Sequence, residues 1–62
     1  MSAAETYRAN ADAQRAAAAN TSLPNRRVLH ERCAETWDEM ARSVEDTLER
    51  AAVNLAAKVA RA

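Results

Sequence analysis

Asn20-Thr21-Ser22-Leu23-Pro24-Asn25 is the one stretch of this 62-residue sequence that interrupts an otherwise unbroken helical pattern. Thr21 and Ser22 are poor helix continuers, and Pro24 drives the residue before it out of the α region. Pro24 is also the only proline, and the chain has no glycine. One break therefore divides the sequence into two helices. The expected boundaries are a first helix over about 3–19, a turn over 20–25 and a second helix over about 25–60. Asn20 is the candidate for a left-handed cap at the end of the first helix, and Ser22 or Asn25 for the N-cap of the second.

Composition agrees with an all-α class. A sheet protein needs turn residues at regular spacing between β-branched or aromatic runs, and none is present. Apolar residues make up 48% of the chain, but 17 of them are alanine, with four Leu, four Val, two Met, one Trp, one Tyr, one Cys and no Phe. Alanine is the best helix former and contributes little buried area, so local propensity is strong and core material scarce. A chain this short is marginal on its own, and Cys33, the single cysteine, cannot staple it internally.

At the N-terminal end, Ser2 and Glu5 have the spacing of a capping box. The informative asymmetry lies further on, because nothing stops the second helix before the end of the sequence. At 1.5 Å per residue the second helix reaches roughly 54 Å and the first roughly 26 Å. An antiparallel hairpin of such unequal arms leaves half of the long helix without cover. Counting out from the turn places Ala18 near Leu29, Ala11 near Trp37 and Tyr7 near Met40. The start of the first helix then falls near Val44 or Glu45.

Two apolar periods fit the second helix. One runs Leu29, Cys33, Trp37, Met40, Val44, Leu48, Ala51, Leu55, Val59 and Ala62, an eleven-residue repeat suited to straight packing. The other, of seven residues, fits Trp37, Ala41, Val44, Leu48, Ala51 and Leu55 but puts Lys58 in the seam. The eleven-residue reading is preferred. Beyond the reach of the first helix, Val44, Leu48, Val53, Leu55 and Val59 are expected to face water in a monomer, and Val44, Leu48, Ala51, Leu55 and Val59 form the expected self-association surface. The expected assembly is a C2 homodimer in which two hairpins complete a four-helix bundle. On the opposite face, pairs such as Arg27–Glu31, Asp38–Arg42, Arg42–Asp46 and Asp46–Arg50 at i,i+4 suit a solvated surface.

Candidate chemistry is thin. His30 and Cys33 are spaced i,i+3, and two such pairs in a dimer would give four ligands of a type zinc accepts. Cys33 sits on the apolar stripe, however, where it acts as a small hydrophobe, and His30 is expected at its polar edge. Arg26, Arg27 and His30 gather near the turn. Cations at a helix N-terminus oppose the macrodipole, so they suggest either an anion site or pairing with acids such as Glu31 and Glu35. The only histidine has no Glu three positions before it, so the diiron pattern is missing. Neither a metal nor a cofactor is expected.

The residues Tyr7, Arg8 and Ala11, followed by Leu23, Pro24, Asn25, Arg27, Cys33, Ala34, Trp37, Met40 and Ala41, form a recurring pattern. Over about residues 7–42 it resembles that of short alphaproteobacterial, sphingomonad-like proteins, with an Ala-rich helix, an LPN turn and an A..W..MA helix. The resemblance implies a bacterial helical hairpin and supplies no catalytic or binding residues.

The formal charge of zero argues against a dedicated nucleic-acid binder, whose footprint is a strongly basic face. No cationic segment followed by an apolar run opens the sequence, and no apolar stretch could span a bilayer, so a cytoplasmic protein is expected. No nucleophile–base pair can be assembled, and an enzyme is not expected. The reading is a small self-associating interaction or regulatory module, with another protein as a further candidate partner. The alternative is a weak anion or nucleic-acid binder using the arginines near the turn.

Overall fold

The computed structural model describes all of residues 1–62 and contains two helices, α1 (Ala3–Asn20) and α2 (Pro24–Arg61). They pack against each other as an antiparallel hairpin. The all-α class and the unequal arms follow the sequence reading, at 18 and 38 residues. The turn is tighter than expected. It comprises only residues 21–23, because Asn20 stays helical and no residue adopts a positive φ.

Thr21 closes α1 in an extended conformation, φ −98° and ψ 139°, rather than through a left-handed Asn20. Its hydroxyl accepts a hydrogen bond from the Leu23 amide (3.3 Å). Its carbonyl accepts one from the Arg27 guanidinium (3.2 Å). Leu23 is extended as the residue before proline must be, and Pro24 opens α2 where its missing N–H costs nothing. The N-cap of α2 is therefore Leu23, not Ser22 or Asn25, and no side chain caps it. At the far end of α1 the capping box forms: the Glu5 amide donates to Ser2 Oγ (3.1 Å) and the Ser2 amide to Glu5 Oε1 (3.4 Å).

The core is a column of small side chains. Ala4, Ala11 and Ala18 of α1 and Ala34 and Ala41 of α2 are the buried residues, with Ala11 and Ala41 at 0% exposure. Alanine at seven-residue intervals on both helices lets the backbones approach closely. It also leaves no large side chain fully buried.

This spacing corrects one expectation. On α2 the face toward α1 is the seven-residue set, with Ala34 and Ala41 buried and His30, Trp37 and Val44 half-buried between them. The eleven-residue stripe is not the hairpin seam, since Leu29 is 60% exposed and Met40 is also exposed. Leu29 and Met40 lie about 80–100° around the helix from the contact line, at about 100° per residue.

The register shifts accordingly. Tyr7 meets Trp37, with ring centroids 5.6 Å apart and planes at 32°, where it was expected near Met40. His30 is in the seam rather than at a polar edge, its Nδ1 2.8 Å from Gln14 Oε1. Beyond Val44, every residue of α2 is exposed.

Candidate self-association surface

Two edges flank the alanine column, and their chemistry differs. Arg8 and Arg15 are seven residues apart on α1, and Asp38 and Glu45 seven apart on α2, so each pair shares one edge of its helix. Arg15 pairs with Asp38, and Arg8 donates through Nε to Glu45 Oε1 (3.0 Å). These two cross-helix ion pairs close that edge. The hydrogen bond from Arg15 holds the Asp38 carboxyl below its ordinary pKa, and the same bond raises that of Arg15.

The other edge is apolar and open. Tyr7 and Trp37 stack there. Cys33, Trp37 and Met40, with Arg32 and Thr36 at the rim, line a shallow depression, and Leu29 continues the same side. Cys33 is a half-buried free thiol on this edge.

The remaining stretch of α2 carries the expected association residues. Leu48, Leu55 and Val59 are 62%, 63% and 67% exposed, and Ala51 lies exposed among them. Val44, the fifth, is half-buried where α1 ends. At about 100° per residue, Leu48, Leu55 and Val59 continue the line along which α1 packs on the first half of the helix. The apolar face of α2 is thus one surface, half covered by α1 and half bare.

The polar residues singled out near the turn do not converge. Arg27 folds back onto the Thr21 carbonyl and His30 is held by Gln14, while Arg26 is exposed at the start of α2. Among the i,i+4 pairs expected on the outer face, Asp46–Arg50 forms (3.2 Å), whereas Asp38 turns across to Arg15 instead of to Arg42. No cluster of three or more His, Cys, Asp or Glu side chains is placed to hold a metal ion. No helix is long and apolar enough to cross a membrane.

Comparison with known proteins adds no relative: no family model, no curated protein and no solved structure matches the chain.

Proposed function

We propose that this chain is a non-enzymatic self-associating module, a homodimer of helical hairpins that presents its charged outer faces to another protein. The observation that carries the reading is the bare apolar face of α2 after Val44. Leu48, Leu55 and Val59 are large aliphatic side chains on one line, and α1 is too short to reach them. A contiguous apolar surface of this kind marks an interaction site.

The overall dimensions support the same reading. The extents are 60 × 19 × 10 Å and the radius of gyration is 16.8 Å. A compact domain of this length would have a radius of about 10.6 Å. A core of five alanines leaves an isolated hairpin marginal, and association supplies the burial it lacks.

Sedimentation equilibrium and thermal melts over a hundredfold range of concentration test the reading. A dimer mass and a melting temperature that rises with concentration are expected, because only the folded dimer is favoured by mass action. A monomer mass with a concentration-independent melt would overturn it.

A further inference from the structure

Resting on the self-association proposed above, we infer that the second copy lies antiparallel along α2 on the open Trp37 edge, with the two-fold axis at Val44. The dimer is then a straight rod, three helices thick at any level, in which the two α1 helices meet end to end.

The first argument is the symmetry of the stripe. From Leu29 to Val59 its apolar positions are spaced 4, 4, 3, 4, 4, 3, 4, 4, a series identical in reverse, with Val44 at its midpoint. An antiparallel copy centred there sets Val44 against itself, Met40 against Leu48 and Cys33 against Leu55. Each bare tail covers the partner's open edge, and each open edge covers the partner's tail. Such self-complementarity is what an isologous contact requires. The eleven-residue period suits the straight crossing.

The second argument is length. With 18 residues, α1 is just under half as long as the 38-residue α2. Two α1 helices placed end to end on the same side of the α2 pair therefore run the length of the rod. The two-fold axis, perpendicular to the plane of the α2 pair, leaves both α1 helices on that one side. Each tail then touches α2 and α1 of the partner, which accounts for an apolar arc in the tail wide enough to include Ala52 as well as Ala51.

The third is charge. The acids of α2 from Glu31 to Glu49 fall on the face away from the stripe, at about 100° per residue. Close to the middle of the seam the polar positions are Thr36, Ser43, Thr47 and Asn54, which carry no charge, while the cations beside it, Arg32 at the rim and Lys58 in the tail, lie toward its two ends. The ion pairs Arg8–Glu45 and Arg15–Asp38 occupy the edge that this arrangement leaves in solvent.

Area agrees. The chain exposes 4958 Å². A compact monomer of this mass would expose about 4,000 Å². The excess, about 1,000 Å², is what each partner of a standard interface gives up, about 800 Å².

Oxidative cross-linking of Leu55→Cys tests the arrangement, with native Cys33 as its mate. Within one chain the two thiols are about 33 Å apart along the helix, so no internal bridge can form. The expected product is a covalent dimer whose peptide map contains the 33–55 bridge between chains, lost in Leu55→Cys/Cys33→Ser. Val44→Cys/Cys33→Ser, on the axis, is expected to bridge to its own copy, and this holds the test open should Leu55→Cys weaken the dimer. A wild-type dimer in which neither variant gives its bridge, or which gives only 55–55 bridges, would overturn this arrangement and leave self-association standing. A monomer at all concentrations would overturn both.

Discussion

Tyr7 rests against Trp37 on the edge of the hairpin that no ion pair closes, with ring centroids 5.6 Å apart. A tilted aromatic pair of this kind contributes about 0.5–1.5 kcal/mol beyond the area it buries. Both rings remain half-buried in the single chain, and so the largest side chain of the protein is only partly spent on its own fold. Trp37→Ala is expected to cost about 2 kcal/mol in dilute solution, below the 3–5 kcal/mol of a fully buried aromatic. At concentrations where chains associate, the loss should approach that upper range. Chemical denaturation at two concentrations, followed by circular dichroism, measures the difference.

The alanine column predicts the opposite kind of sensitivity. Ala11 and Ala41 have no exposed surface, and their methyl groups set the distance between the helices. Enlarging either to leucine forces the helices apart and is expected to cost about 1–3 kcal/mol. Ala19→Leu, on the exposed side of α1, should leave the melting temperature nearly unchanged. A stabilising effect of Ala41→Leu would show that the packing distance has been misjudged.

Asp38 gives the hairpin a pH dependence of defined sign. Its carboxyl is held below the ordinary value chiefly by the hydrogen bond from Arg15, which outweighs the opposing effect of burial, and the charges of Arg15, Arg8 and Arg42 add to the same direction. A depressed acid binds fewer protons folded than unfolded. Its contribution is therefore fully present above the unfolded value of about 3.9 and is lost as pH falls through the lower folded value. Asp38→Asn should flatten the acid side of a stability profile between about pH 5 and pH 2 relative to wild type. Because Arg15 is half exposed, the effect at neutral pH is expected to be modest and to shrink with added salt.

Leu48→Asp places a carboxylate on the bare half of the stripe, where the leucine is 62% exposed in the single chain. It should abolish the dimer by light scattering, leaving a monomer or, since the isolated hairpin is marginal, an unfolded chain. An unchanged, fully helical dimer would remove Leu48 from the seam.

Ser2→Ala tests the far end of α1, where hydroxyl and carboxylate exchange hydrogen bonds with two otherwise free amides. The expected cost is about 1 kcal/mol, read as a lower melting temperature with fraying confined to the first turn.

Local features of this chain were legible from residue types alone. Pro24 acts on its immediate neighbour, the capping box spans three residues, and alanine raises helix propensity wherever it stands, so these signals need no knowledge of the partner helix. The break, the two helices and their unequal lengths followed from them. The end of α1 did not, because Thr21 could leave the helix in an extended conformation once its hydroxyl and carbonyl found Leu23 and Arg27. Two amphipathic periods were also visible on α2, and periodicity alone cannot say which neighbour fills which face.

The tertiary structure decided that question. The seven-residue face received α1 because alanines at equal spacing on both helices allow the closest approach, while the eleven-residue stripe, sharing Trp37 and Val44 with it, was left beside the seam. Tertiary packing likewise drew Asp38 to Arg15 rather than to Arg42, since a guanidinium from the facing helix reaches the same carboxylate. Sequence by itself determined where α1 begins, where the chain breaks and how far α2 outruns α1, through short-range sterics and propensity. Which edge of the hairpin is closed by charge, and which is left apolar and open, depended on the rotation of one helix against the other, a relationship that exists only between packed surfaces.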